Sequence, residues 1–212
     1  MKVGILGSGD VAKTLGGGFA SHGNSVKLGS RTPDSEKLKV WRKEVQGETS
    51  TGTFADAASF GDAIVIAVLG SAIDEAINLA GPKNFTGKLV IDTTNALDFS
   101  KGMPPGLFTG LNDSLGERIQ RKLPQARVVK CFNTVPNTRM CNPGDKSAEM
   151  LICGNDPEAK RQVIQILKQL GWAGAIDIGG IAEAKWLEAA VPLWVRVAVS
   201  TNNWNSMFKL LH

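Results

Sequence analysis

The sequence predicts an α/β fold, a doubly wound parallel sheet with a small α/β cap at its C-terminal end. Three observations carry this. Short apolar runs alternate with stretches of helical period along most of the chain. The first run is followed at once by a glycine-rich turn and a helix. A mid-chain run, Ala63-Ile64-Val65-Ile66-Ala67-Val68, is apolar throughout, as expected of a strand buried on both faces of a parallel sheet.

Lys2-Val3-Gly4-Ile5-Leu6 reads as the first strand. Gly7-Ser8-Gly9-Asp10-Val11-Ala12 follows, then a helix to His22-Gly23 and a second strand, Ser25 to Gly29. Isolated glycines would mark only a tight turn. Here they form the G-x-G-x-x-A version of the dinucleotide fingerprint, in its strand–turn–helix–strand setting. Gly7 permits the turn, Gly9 lets a pyrophosphate approach the backbone, and Ala12 lets the helix pack close. The phosphates would sit on the helix N-terminus at Asp10 and Val11.

Ser30-Arg31-Thr32 ends the second strand. An NAD site usually places a carboxylate here, to accept from the ribose 2′-hydroxyl. A hydroxyl and a guanidinium instead suit a 2′-phosphate. The residues therefore favour NADP(H), with Asp34 keeping NAD(H) as the alternative.

Pro33 to Gln46 fits a helix, capped near Thr32 or Asp34 and stopped by Gly47. Its Lys37 reads as a second phosphate contact or as part of a solvated face. Thr49 to Thr53 is a short strand and Phe54 to Phe60 a short helix. Leu69-Gly70-Ser71 turns the chain into a helix ending near Ala80. Lys88 to Asp92 is the next strand, with Thr93-Thr94-Asn95-Ala96 as its loop. Phe99 to Gly116 reads as a long loop, after which Asn112 or Asp113 caps a helix to Leu123. Ala126 to Cys131 is a further strand, leading into Phe132-Asn133-Thr134.

Ligands bind such sheets beyond the carboxyl ends of the strands. That rule gathers the glycine loop, Ser30–Thr32, Leu69 and Gly70, Asn95 and Asn133 on one rim. The two asparagines would hold a nicotinamide amide or the polar edge of a second ring, or else cap their own loops.

Glu149 to Gly154 is strand-like, Asp156 caps a helix from Pro157 to Leu170, and Trp172 to Ile178 is again strand-like. The remainder reads as helices, Ala182–Ala190, Leu193–Ser200 and Trp204–Leu211, with Pro192 as a kink or break. Trp186, Trp194 and Trp204 suit a core or a subunit interface better than a ligand pocket, and a homodimer is expected. The division expected is a dinucleotide-binding unit over 1–125 and a cap over 126–212.

Composition narrows the function. The 212 residues carry a net charge of +4, with scattered basic residues and no stripe suited to nucleic acid. No apolar run has the length of a membrane span. Met1-Lys2-Val3 enters the first strand directly, leaving no room for a signal peptide, so a cytoplasmic protein acting on a small molecule is expected. Cys131, Cys141 and Cys153 lack C-x-x-C spacing, and His22 and His212 are the only histidines, which argues against a metal site. The cysteines read as buried or half-buried thiols. The chain has no tyrosine, which excludes reductases working through a Tyr–Lys pair. Neither histidine is placed as a general acid. No catalytic acid or base is assigned; an oxidoreductase built this way would need no strong side-chain acid.

The chain resembles the NADPH-dependent reductases of coenzyme F420, a deazaflavin, and the cytoplasmic oxidoreductase domain of the STEAP ferric reductases. The resemblance rests on Lys2–Gly9, Leu28–Arg31, Ala63–Val68, Val128–Thr134, Cys153–Asp156 with Ala159-Lys160, and Leu187-Glu188 with Pro192-Leu193. It implies hydride transfer between NADPH and a flavin-like ring stacked on the nicotinamide, with F420, FMN or FAD as that ring. Ser8, Ser30 and Arg31 would hold the NADP end, and Asn95 and Asn133 would lie near the nicotinamide. The glycine loop is shorter than in many deazaflavin reductases, and Thr93 to Gly110 and Asn202-Asn203-Trp204-Asn205 differ from them. Two other readings stand beside this one. A β-hydroxyacid dehydrogenase would use Lys185 after Gly179-Gly180, but needs a longer helical domain. A non-enzymatic NADP sensor would keep only the donor site.

Overall fold

Most of the apolar runs form strands and most of the stretches of helical period form helices, in the expected alternation. A computed structural model describes residues 1–211; His212 lies outside the described residues. The chain runs β1 (Lys2–Leu6), α1 (Asp10–Ser21), β2 (Ser25–Gly29), α2 (Glu36–Glu44), β3 (Thr49–Gly52), α3 (Phe54–Phe60), β4 (Ala63–Ile66), α4 (Ile73–Ala80) and β5 (Leu89–Asp92). It continues through β6 (Leu97–Asp98), β7 (Gly106–Leu107), α5 (Leu115–Lys122), β8 (Arg127–Lys130), α6 (Asn137–Met140), β9 (Glu149–Gly154), α7 (Pro157–Gln169), β10 (Gly174–Asp177) and α8 (Ala184–Thr201).

Eight strands form one sheet in the order β10-β9-β8-β5-β4-β1-β2-β3. Pairing is parallel except between β8 and β9. Alternation along the strands divides the core. Val3, Ile5, Val65 and Ile91 face a layer of α1, α2, α6 and α7. Leu6, Ile64, Ile66 and Val90 face α3, α4, α5 and α8. A strand buried on both faces favours apolar residues throughout, and β4 is apolar at every position.

Several boundaries move. Residues 126–212 do not begin at a seam of the sheet. β8, the first strand of the expected cap, pairs with β5, and β9 and β10 extend the same sheet. The second helix starts at Glu36, after a turn in which the Ser35 N–H donates to the Thr32 carbonyl at 3.1 Å. Ser114, not Asn112 or Asp113, caps α5, its hydroxyl accepting from the Glu117 N–H. Asp113 instead binds Arg118 and Arg121. β7, within the expected long loop, pairs with β6 just before it as a small antiparallel hairpin.

Pro192 neither breaks nor ends α8. A helix-interior proline costs about 3 kcal/mol, yet Leu187, Val191, Val195 and Ala198 are buried on both sides of it. Packing holds the helix together across the missing N–H. The expected helix over 204–211 is absent. Asn202 ends α8 in the left-handed region at φ 48°. The chain then folds back, with Trp194 Nε1 donating to the Ser206 carbonyl at 2.8 Å and Thr138 Oγ1 donating to Asn205 Oδ1 at 2.6 Å.

Candidate functional site

Parallel register brings Leu6, Gly29, Ile66, Asp92 and Lys130 side by side at the carboxyl ends of β1, β2, β4, β5 and β8. The loops that follow therefore share one rim.

The two loop glycines do different work. Gly7 has φ +136°, and a Cβ there would lie 2.2 Å from the Ala67 carbonyl oxygen, so the fold itself requires glycine. Its N–H donates to the Gly29 carbonyl at 2.9 Å, binding the glycine loop to β2. Gly9 has an ordinary φ of −79°, and a Cβ there would meet nothing within 4 Å. The fold leaves that space open, beside an α1 N-terminus that no side chain caps. Open space against uncapped amides suits a pyrophosphate. Asp10, at the first position of α1, pairs with Lys13 at 3.1 Å, and Val11 packs against the core.

Ser30 is buried, and its hydroxyl donates to Ser8 Oγ at 3.3 Å. The glycine loop and the end of β2 thus present a pair of hydroxyls. Arg31 is exposed, with Nη1 3.8 Å from Glu75 Oε1 of α4. Thr32, Asp34 and Lys37 are exposed beyond it. Leu69 is 76% exposed at the end of the β4 loop. Gly70 packs so closely on the next loop that a Cβ would lie 2.3 Å from the Asn95 carbonyl oxygen.

Asn95 and Asn133 meet across β5 and β8. Asn133 Nδ2 donates to Asn95 Oδ1 at 3.0 Å and to the Leu187 carbonyl of α8 at 3.0 Å. Asn95 Nδ2 donates to the Asn133 carbonyl at 3.2 Å. Neither asparagine merely caps its own loop. Asn133 is buried, and its Oδ1 is the buried side-chain oxygen among the described residues without a partner. Phe132, just before it, has φ +67° with its ring wholly buried. A bulky residue in that region is strained, and such strain persists where the surroundings enforce it.

Beneath the asparagines lies a charged cluster that the sequence reading passed over. Lys130 Nζ is 2.8 Å from Asp92 Oδ2, 2.8 Å from Glu188 Oε1 and 2.6 Å from the Thr94 carbonyl. Asp92 Oδ1 accepts from the Thr94 N–H at 2.9 Å and from its hydroxyl at 2.6 Å. Glu188 accepts from the first amides of α5, Leu115 N at 3.1 Å and Gly116 N at 3.2 Å. All three charged side chains are buried. Burial pushes the Lys130 ammonium towards losing its proton, but the adjacent Asp92 and Glu188 together outweigh it and hold its pKa above the ordinary value. Burial raises the Glu188 carboxyl, with Lys130 offsetting part of the rise. A signal was present. Asp92 and Lys130 each end an apolar strand, and Glu188 is the one carboxylate of a largely apolar helix.

The remaining residues stand apart. His22 is exposed at the C-terminal end of α1, with Nδ1 2.8 Å from the Gly18 carbonyl. Lys185 Nζ lies 5.7 Å from the centre of the Trp186 ring. Trp186 and Trp204 are exposed rather than in the core, and Trp194 meets Trp204 edge-to-face at 6.0 Å. The three thiols are unpaired, Cys131 and Cys153 buried and Cys141 half-buried. Burial pushes Cys141 and Cys153 up to about 12. Among the described residues, no group of histidine, cysteine or carboxylate side chains could hold a metal ion, and no helix is long and apolar enough to cross a membrane. A groove of about 740 Å³ lies at the opposite end of the sheet, beside Arg127 at the start of β8 and Asn155 after β9. It is remote from the rim.

Four similarities to known proteins bear on this site. Residues 2–96 match the family model for coenzyme F420-dependent NADP oxidoreductases. A solved structure of a candidate F420-dependent NADP-reductase from Arthrobacter sp. FB24 superposes with a TM-score of 0.94, at 36% identity over 100% of both chains. The F420-dependent NADP reductase of Methanocaldococcus jannaschii is 28% identical, over 92% of this chain and 91% of that protein. Metalloreductase STEAP3 of Rattus norvegicus is 30% identical over 91% of this chain, which spans 36% of its length.

Proposed function

As this chain belongs to the family of coenzyme F420-dependent NADP oxidoreductases, and is thereby an NADP(H)-linked enzyme of hydride transfer, we propose that its partner in the reaction is a flavin or deazaflavin ring stacked on the nicotinamide. Bound at the rim, NADPH supplies two electrons and a hydrogen to that ring, which takes one further proton from solvent. The observation that carries the reading is the rim itself, polar for binding, with its buried charges Asp92 and Lys130 engaged with one another and with Glu188.

Each residue has a positioning task. Gly7 and Gly9, with the first amides of α1 at Asp10 and Val11, receive the pyrophosphate. Ser8, Ser30 and Thr32 offer hydroxyls and Arg31 a guanidinium to the 2′-phosphate. Leu69 and Gly70 wall the cleft between the two ends of the dinucleotide. Asn95 and Asn133 hold the nicotinamide. Transfer between two stacked rings requires closeness and orientation, and no side chain need move a proton in the hydride step. The missing tyrosine and the remote His22 agree with this. We place the protein in the cytoplasm, working as a homodimer.

The test is to mix protein with NADPH and, in turn, F420, FMN and FAD, and to follow NADPH oxidation by absorbance. Turnover with at least one of them is expected. Tight NADPH binding with turnover of none would favour the sensor reading.

A further inference from the structure

We propose, resting on the placement of the nicotinamide above, that the buried Lys130–Asp92–Glu188 cluster positions the Asn95–Asn133 pair, with Glu188 as the principal positioning residue. Three ties lead from the cluster to the pair. Lys130 Nζ holds the Thr94 carbonyl at 2.6 Å, one residue before Asn95. Glu188 adjoins Leu187, whose carbonyl accepts from Asn133 Nδ2 at 3.0 Å. Lys130 also precedes Asn133 in the chain, across Phe132 with its positive φ. Glu188 further fixes the first turn of α5 through two backbone amides. Four segments of chain are thus tied to one set of charges beneath the rim.

Stability alone is a poor explanation for this cluster. Buried ions lose hydration, and apolar side chains of similar volume often replace them at no cost. Apolar replacements, however, would give the Thr94 carbonyl and the α5 amides no partner. The cluster is satisfied, while the nearby Asn133 Oδ1 is not. Such an arrangement holds an asparagine in an orientation it would not otherwise keep. Small errors in that orientation carry large rate penalties in ring-to-ring transfer.

The test is a double-mutant cycle with Glu188→Gln and Asn95→Ala. Single-turnover hydride transfer is measured alongside NADPH affinity and thermal midpoint. Glu188→Gln is expected to slow transfer about tenfold or more while changing NADPH affinity by less than about threefold. In the Asn95→Ala background the same change should cost little, because its route is already gone. Fully additive losses would mean Glu188 acts elsewhere, and would overturn the proposal. A second readout needs no acceptor. Exchange of the Asn133 side-chain amide hydrogens, followed by NMR, should accelerate about tenfold in Glu188→Gln, beyond what any change in global stability accounts for. Unchanged exchange overturns the proposal whatever the acceptor proves to be. Absence of turnover in the wild type counts against the functional reading alone. If Glu188→Gln does not fold, Glu188→Asp keeps the charge, shortens the reach and is read in the same way.

Discussion

Arg31 and Glu75 face one another at 3.8 Å, the guanidinium from the end of β2 and the carboxylate from the first turn of α4. Both are exposed, so their mutual attraction is weak and screened by salt. A 2′-phosphate would compete with Glu75 for the same guanidinium. Arg31→Ala should weaken NADPH about tenfold to a hundredfold and leave NADH nearly unchanged. Equal losses for both cofactors, measured by fluorescence titration, would remove Arg31 from the phosphate site. Glu75→Gln should tighten NADPH by a few fold at low salt, with the gain fading as salt rises.

Gly7 and Gly9 look alike in the sequence and should behave differently when changed. Gly7→Ala forces a side chain into a positive φ and onto a carbonyl oxygen, so thermal stability should fall by several degrees or more. Gly9→Ala fits its backbone and meets no protein atom. It should fold normally and lose NADPH affinity about tenfold or more. A Gly9→Ala protein that binds NADPH as tightly as wild type would refute the placement of the pyrophosphate.

Lys185 lies against the Trp186 ring. Lys185→Ala should leave turnover within a few fold of wild type, the cost being only the ring contact. A loss near a thousandfold would restore the β-hydroxyacid dehydrogenase reading, in which this lysine moves a proton.

The pH dependence of stability has a sign at Glu188. Its carboxyl pKa is raised in the folded protein above the ordinary 4.5, with burial the main cause. The folded state therefore binds that proton more tightly than the unfolded state. Stability from this group is greatest at low pH and declines as pH rises from 4.5 through the raised value. The difference between denaturation curves of wild type and Glu188→Gln should slope downward across that window and be flat below it. The surface carboxylates oppose this. Asp98 and Asp113 have lowered values, and their contribution is lost as pH falls below 3.8. Subtracting the variant's curve isolates the buried group. An upward slope would show that Glu188 is a stabilised carboxylate in the folded state.

Local rules determined much of this protein. Val3, Ile5 and the all-apolar β4 could only be inner strands, and a glycine loop between strand and helix could only sit at the sheet's carboxyl end. The placing of Ser30, Arg31, Asn95 and Asn133 on one rim followed from that topology, since parallel strands carry their loops to the same side. Tertiary structure decided what sequence spacing does not encode. Gly9 faces open space while Gly7 fills a turn, a difference set by Ala67 just beyond β4. Pro192 remains helical because burial on both sides outweighs one lost hydrogen bond. The chain after Asn202 folds back because Trp194 and Thr138 offer it partners. Asp92, Lys130 and Glu188 come from distant parts of the chain, and each alone reads as an ordinary polar residue. Only when the fold brings them into contact away from water do their charges become one cluster, and only there can it act on the two asparagines above it.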